Sequence, residues 1–422
     1  MYSVLMIVSI VSGYLHGLWI DRARGSRYAK IPVISSIIFS IGLLIFFKYT
    51  DFIIENLNWV LNTDIPLTNI LLPIGISFYT FQILSYTIDV YRGEADVQKN
   101  LLNFAAYVSL FPQLIAGPIV RYTTVEKELN ERTHSLSDAA YGINRFIIGL
   151  SKKVLIANTL GELVEIFKNT AEKTVLFYWV SAIAFMLQIY FDFSAYSDMA
   201  IGLGRIFGFH FLENFNYPFI AKSISEFWRR WHISLGTWFR DYVYIPMGGN
   251  RVNTLKWIRN IIVVWFLTGF WHGAQWNFII WGLYFALFLS LEKNFFKKVL
   301  EKLPAAVSHL YLLFFITISF VIFNGDGMKE SLTNLKGMFG LLNIPFSNME
   351  TIYYIKSYLV VLIIAVIGAT PIVSGFIKKA GENKEFGQVI NFLEPIAHIL
   401  LLLFVTGYLI DGSFNPFLYF RF

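Results

Sequence analysis

Long apolar runs, separated by charged or Pro/Gly-containing breaks, dominate the pattern of the chain. A membrane-spanning helix needs about 20 mostly apolar residues, and about eleven runs approach that length. They cover residues 2–20, 32–49, 69–91, 101–120, 139–159, 175–209, 260–272, 276–291, 310–323, 352–372 and 392–410. The pattern therefore predicts an all-α, polytopic transmembrane bundle of about ten or eleven membrane helices.

Two of these runs contain helix-breaking residues, at 72–75 (LPIG) and at 117–118 (GP). Irregular backbone at membrane depth is tolerated only where protein or a water-filled cavity shields it. We therefore expect broken or re-entrant helices around a central funnel or tunnel.

The segment 222–259 has a different composition, with seven Lys or Arg residues against two Asp or Glu. It also contains Trp228, Trp231 and Trp238, and Trp rings favour the headgroup level. The positive-inside rule puts this segment in the cytoplasm, and it puts the basic stretch 22–30 there too, with the N-terminus outside. We expect short amphipathic helices tucked under or partly into the bilayer.

Composition excludes a water-soluble globule. Hydrophobic residues make up 56% of the chain and charged residues 15%, against about 25% in typical soluble domains. We expect one lipid-embedded domain over residues 1–422, without a cleavable signal peptide. The chain has no Cys, which excludes thiol nucleophiles and thiolate zinc sites. The net charge of +6 is expected to set loop orientation, not nucleic-acid binding.

His272 is the first candidate for chemistry, because it ends an apolar run and an ionisable group at membrane depth indicates function. At helical spacing its neighbours include Thr268 and Gln275, and Gly269 and Gly273 would let a substrate or another backbone approach. Imidazole can take a proton from a hydroxyl at neutral pH, so a general base is the natural role.

His232 is the second candidate. On a helix it would share a face with Trp228, Leu235 and Phe239. A structural histidine at the headgroup level and a catalytic one remain alternatives. Two histidines without a third ligand at fixed spacing give poor support for a metal site.

Other polar groups receive structural interpretations. We expect Asp192 and Asp198 to be paired within the protein, since six residues put them on different faces of a helix. We expect Arg145, Lys152 and Lys153 to extend toward lipid headgroups.

Several motifs together resemble the membrane-bound O-acyltransferases. They are SEFWRRWHISL at 225–235, WFRDY at 238–242 and GFWHG at 269–273. Further motifs resemble the branch of bacterial alginate O-acetylation membrane proteins and their polysaccharide or peptidoglycan O-acetylating relatives. These are LPIGISFYTFQ at 72–82, FPQLIAGPI at 111–119, YIPMGGN at 244–250 and FLYFRF at 417–422. Relatives usually carry more apolar sequence before the region matching 1–20, so two alternatives are open: the chain lacks one or two N-terminal helices, or it starts at an internal Met.

The resemblance implies an acyltransferase of the bacterial cytoplasmic membrane that moves an acetyl group across the bilayer. The donor is acetyl-CoA or another cytoplasmic acyl thioester, with no permanently bound cofactor. His272 matches the family's catalytic histidine, and His232 matches a second histidine important to the reaction. The resemblance also implies an extracytoplasmic serine-hydrolase-like partner, which completes transfer to a polysaccharide or glycan acceptor.

Donor and channel residues can be named on chemical grounds. Arg229, Arg230 and Arg240 would attract the phosphates or carrier acids of a donor. Further candidates for the substrate channel are the neighbours of the two histidines, Trp231, Trp271, Thr268 and Gln275.

Two alternatives stay open at this point. Charges within the apolar runs, Asp89 and Glu394 among them, are also typical of a transporter or flippase. Within the family, a D-alanyl transferase acting on teichoic acid is the other alternative.

Overall fold

The computed structural model describes residues 2–114, 117–412 and 417–418, and within them the chain forms helices and connecting turns without strands. The motifs at 111–119 and 417–422 lie partly outside the described residues. The α-helices in this part are α1 (Tyr2–Ala23), α2 (Lys30–Leu61), α3 (Ile76–Arg92), α4 (Leu101–Ser109), α5 (Phe111–Leu114), α6 (Tyr122–Asn130), α7 (Leu136–Ser151), α8 (Asn158–Asn169), α9 (Val175–Ile206), α10 (Ile224–Arg230), α11 (Ile233–Phe239), α12 (Thr254–His272), α13 (Trp276–Leu291), α14 (Lys297–Leu300), α15 (Ala305–Asn324), α16 (Met328–Met338), α17 (Met349–Gly368), α18 (Ile372–Glu382) and α19 (Lys384–Asp411). Short π-helical segments follow α7, α11 and α13 at Lys152–Ala157, Arg240–Tyr244 and Glu292–Phe296, and a 3₁₀ turn lies at Pro218–Ile220.

The all-helical prediction is confirmed. Among the described residues, seven helices are long and apolar enough to cross a membrane: α1, α2, α9, α13 with its continuation to Leu300, α15, α17 and α19. The number of ten or eleven stays a prediction, because other apolar runs fall in shorter or more charged helices. The run 101–120, for example, contains α4 and α5, both shorter than a span.

The longest helical pair joins α7, its π-helical segment and α8 to the antiparallel α9. Gly142 and Gly202 face each other in this pair, and a methyl group on Gly202 would lie 2.9 Å from the amide nitrogen of Phe146. Small residues let the two backbones approach closely, as is common between membrane helices. This pair supports the large aromatic core that α13 and α15 complete.

Helices α12, α13 and α15 cross the molecule from one side to the other, and their ends define two faces. We call the side that contains the termini of segment 222–259 the basic face. There Lys293, just beyond α13, contacts Asn250, and His309 in the second turn of α15 contacts the carbonyl of Ala221. The side where Asn277 at the start of α13 donates to the carbonyl of Gly325 is the opposite face.

Candidate functional site

Helices α10 and α11 form a hairpin that enters the protein from the basic face. At its start, the carboxylate of Glu292 accepts hydrogen bonds from the backbone N–H groups of Ile224 and Ser225, at 2.6 and 3.0 Å. At its tip, the Trp231 ring lies 5.3 Å from the Phe320 ring, near the far end of α15. The hairpin therefore brings residues 231 and 232 deep into the helical domain.

One expectation about this segment is wrong. His232 does not share a helix face with Trp228, Leu235 and Phe239, because its left-handed backbone (φ 45°, ψ 54°) separates α10 from α11. The side chains of Trp231 and Trp238 are buried within the protein, because the hairpin folds inward. Positive φ is uncommon for a residue other than Gly and indicates a local constraint.

Hydrogen bonds of Asn214 hold the His232 imidazole in one orientation. The side-chain oxygen of Asn214 accepts hydrogen bonds from the backbone N–H and the hydroxyl of Ser234, at 3.2 and 2.9 Å. It lies 3.2 Å from His232 Nδ1, and an oxygen there requires that Nδ1 carry the proton. The other nitrogen, Nε2, is buried without a hydrogen-bond partner among the described residues. His232 therefore presents an unprotonated Nε2.

His272 is the last residue of α12, and aromatic rings surround it. The ring centroids of Trp271, Trp281 and Phe323 lie 5.0, 5.1 and 5.3 Å from that of the imidazole. The ring centroid of Trp271 is also 6.2 Å from that of His232, so both histidines lie next to the same indole ring.

A central cavity lies beside His272. Its lining residues are Ile189, Asp192, Phe193, Tyr196, Trp231, His272, Trp281, Phe320, Phe323, Phe417 and Leu418. The ring of Phe193 is 4.7 Å from that of His232, which connects the second histidine to the same space. An aromatic wall with an imidazole in it can hold a small acyl group and take a proton from a hydroxyl beside it.

The charged groups of α7 and α9 form ion pairs inside the protein. Lys153 pairs with Asp192, and Arg145 and Lys152 lie 2.7 and 2.6 Å from the carboxylate of Asp198. The prediction that Asp192 and Asp198 are paired within the protein is confirmed, since each carboxylate contacts a basic side chain. The prediction that these three basic side chains extend toward lipid headgroups is wrong, because buried carboxylates hold them inside the protein.

A second cavity, of about 930 Å³, opens at the opposite face. It reaches the solvent-exposed Asp326 and Gln275, and it shares Phe323 and Leu418 with the central cavity. Gly273, next to the imidazole, lines it. The His272 turn thus separates the central cavity from an opening toward the opposite face.

A third space, the basic-face cleft, has a volume of about 1550 Å³. Four cationic side chains line it, together with the acids Glu292 and Glu301: Lys222, Arg229, Lys293 and Lys297. Packed aromatic rings lie between this cleft and the central cavity. Trp228 contacts Phe285 at 4.8 Å, and Phe285 contacts Trp281 at 5.1 Å.

The three predicted donor-side arginines separate in the structure. Arg229 lines the cleft, whereas Arg230 pairs with Glu226 at 2.9 Å and Arg240 pairs with Asp241 at 2.6 Å. Burial alone would raise the pKa of Asp241, but hydrogen bonds from Arg240 and Arg121 lower it below the ordinary value. Asp241 therefore stays ionised at neutral pH and offsets the charge of Arg240.

The remaining candidates have distinct positions. Trp231 lines the central cavity and Gln275 the cavity at the opposite face. Trp271 is buried, with its ring 5.5 Å from that of Phe81. Thr268 donates to the carbonyl of Val264 in its own helix.

The two glycines near His272 serve packing. A methyl group on Gly269 would meet the carbonyl of Phe278, and one on Gly273 would meet the Phe278 ring. Phe278 of α13 therefore fills the space beside both glycines, and a substrate does not.

Lys48 and Asn214 are not among the site residues predicted from the sequence. Lys48 Nζ lies 2.6 Å from the carbonyl oxygen of Trp271 and 3.3 Å from that of His272. A charge within the apolar run 32–49 was a signal that could have identified it. Asn214 lies in a turn 18 residues from His232 and carries no comparable signal.

Comparisons with known proteins agree with these motifs. Residues 94–325 match the model of the MBOAT, membrane-bound O-acyltransferase family. The chain is 37% identical to a probable alginate O-acetylase of Azotobacter vinelandii, over 98% of this chain and 89% of that protein. It is 32% identical to a peptidoglycan O-acetyltransferase of Helicobacter pylori, over 100% and 88%. Identity to a teichoic acid D-alanyltransferase of Bacillus subtilis is 32%, over 61% and 69%.

Proposed function

Because the chain belongs to the membrane-bound O-acyltransferase family, we propose that this acyltransferase moves an acetyl group from a cytoplasmic thioester across the membrane, for O-acetylation of an extracytoplasmic polysaccharide. One observation carries the proposal. His272 lines the central cavity, and its turn separates that cavity from the one open to the opposite face.

The donor side is the basic-face cleft. Lys222, Arg229, Lys293 and Lys297 supply positive charge for the phosphates of acetyl-CoA or of an acyl-carrier arm. The positive-inside rule puts this face in the cytoplasm, where such thioesters are made. The thioester is a substrate that leaves after each turnover, so no bound cofactor is required.

The acceptor side is the cavity at the opposite face. Relatives named for alginate and peptidoglycan acetylation support a glycan, alginate-like or peptidoglycan, as the final acceptor. The relatives come from bacteria, which supports the bacterial cytoplasmic membrane as the location. A serine-hydrolase-like partner outside the membrane would receive the acetyl group and complete the transfer.

His272 acts as the general base in this mechanism. Its imidazole takes the proton from the acceptor hydroxyl while the oxygen attacks the thioester carbonyl. The new C–O bond forms, the C–S bond breaks, and the imidazolium returns the proton to the leaving thiolate. General-base assistance is worth roughly a hundred- to ten-thousand-fold in rate. The unprotonated Nε2 of His232 offers a hydrogen-bond acceptor beside the same space.

A D-alanyl transferase is the second candidate, supported by the teichoic acid D-alanyltransferase relative. That relative aligns with 61% of the chain, whereas the two acetyltransferase relatives align with 98% and 100%. The aromatic wall of the central cavity also favours an uncharged acetyl group over an alanyl ammonium, since Asp192 already pairs with Lys153. The transporter or flippase alternative is wrong, because the chain belongs to an acyltransferase family.

The test uses the full chain in lipid nanodiscs with radiolabelled acetyl-CoA and a soluble hydroxyl acceptor. We expect His272→Ala to lose at least about a hundredfold in acetyl transfer, the lower range of general-base catalysis. The matched control is His134→Ala, an exposed histidine, which should transfer at the wild-type rate. Wild-type transfer by a folded His272→Ala protein would disprove the assignment. Transfer of D-alanyl but not acetyl groups would favour the second candidate.

A further inference from the structure

Helix α2 brings a lysine to the carboxyl end of α12. Lys48 Nζ donates to the carbonyl oxygen of Trp271 at 2.6 Å and lies 3.3 Å from that of His272. The ammonium is also 5.9 Å from the centre of the Trp271 ring. Placing a charge in an apolar span is unfavourable, so a compensating role is expected.

Neighbouring side chains of α2 hold the same turn. The Tyr49 hydroxyl donates to the carbonyl of Phe270 at 2.6 Å, and the two rings stack at 3.9 Å. Two turns further along α2, Asn56 accepts a hydrogen bond from the indole N–H of Trp276 at 2.9 Å. The contacts of α2 thus extend from the last turn of α12 to the first residue of α13.

The end of α12 needs such partners. The last four carbonyl groups of a helix lack partners within the helix. Gly273 is extended and begins a short connection to α13, so the chain itself does not provide a capping turn. A cation at this end also interacts favourably with the helix dipole.

We propose that Lys48 is a positioning residue for His272: with Tyr49, its ammonium group caps the carboxyl end of α12 and fixes the turn that carries the imidazole. Helix α2 lies before residues 94–325, so the matched family region does not contain this cap. The proposal rests on the proposed role of His272, and its effect on the α12 turn can be measured without enzyme activity.

The first experiment separates positioning from donor binding. Lys48→Met keeps the length of the side chain but removes the charge, and we expect kcat to fall about tenfold, equal to about 1.4 kcal/mol. The KM for the thioester should stay within about twofold, because the donor binds at the other face. Lys48→Arg keeps a cation that can reach the carbonyls, and it should restore kcat to within about threefold of the wild type.

The second experiment reads the turn directly by hydrogen–deuterium exchange in nanodiscs. The peptide covering 266–276 should exchange faster in Lys48→Met than in the wild type, since an uncapped last turn frays. Lys48→Arg should show wild-type exchange. Lys30→Met, the same change at an exposed position of the same helix, is the control and should alter neither exchange nor kcat.

The outcomes decide the proposal. Wild-type kcat and exchange in Lys48→Met would overturn it, and so would an inactive Lys48→Arg with unchanged exchange, which would indicate a chemical role. If Lys48→Met does not fold, Tyr49→Phe decides: we expect about threefold lower kcat and faster exchange, and wild-type values would overturn the proposal. If His272→Ala retains activity, the proposed function fails, while the exchange data still test the cap.

Discussion

Single residues around the two histidines determine what each imidazole can do. Asn214 is fully buried, and its oxygen accepts from Ser234, which leaves His232 Nδ1 as the protonated nitrogen. Aromatic rings surround the imidazole of His272. His232 is therefore held in one tautomer, whereas His272 stands at the wall of the cavity.

The role of Asn214 leads to a prediction. Asn214→Ala removes the acceptor that orients His232, and we expect kcat for acetyl transfer to fall about tenfold, the equivalent of one buried hydrogen bond. Kinetics of the purified variant measure this effect. Ser234→Ala leaves the Asn214 oxygen in place and should lose less than Asn214→Ala. Equal rates for wild type and a folded Asn214→Ala would show that the His232 tautomer does not matter.

At the scale of elements, the site depends on a close crossing of α12 and α13. Gly269 of α12 and Gly282 of α13 face each other, and a built methyl group on either lies 3.2 Å from the Cα atom of the other. His272 follows Gly269 within one turn of α12. The packing of these two helices therefore sets the position of the imidazole.

This crossing can be tested by adding one methyl group. Gly282→Ala should push α12 away from α13, lower stability by about 1–3 kcal/mol as overpacking does, and reduce activity. Thermal unfolding in detergent, followed by size-exclusion chromatography, measures the stability. Gly407→Ala is the control, because a methyl group there meets no atom within 4 Å. Unchanged melting of Gly282→Ala would contradict the close crossing.

For the whole molecule, three spaces are arranged from the basic face to the opposite face. The cationic cleft lies at the basic face, His272 lines the central cavity, and the third cavity opens beside Asp326 at the opposite face. In the proposed function, the thioester approaches His272 from the basic face and the acceptor from the opposite face.

The orientation can be measured because the chain has no Cys. We expect Asp326→Cys to react with a membrane-impermeant maleimide added to intact spheroplasts, since this side chain is 89% exposed at the opposite face. Lys256→Cys, exposed at the basic face, should react only after permeabilisation. The reverse pattern would invert the proposed direction of transfer.

The sequence by itself determined the all-helical membrane character, the family resemblance and the two histidines, because apolar runs and motifs are local properties of the chain. It did not determine that His232 sits at a left-handed hairpin tip, that Arg145 and Lys152 pair with Asp198, or that Lys48 reaches the carbonyl of Trp271. Those facts depend on contacts between residues far apart in the chain, up to the 223 positions that separate Lys48 from Trp271. Only the packing of helices onto one another brings such groups together, so the tertiary structure decided them.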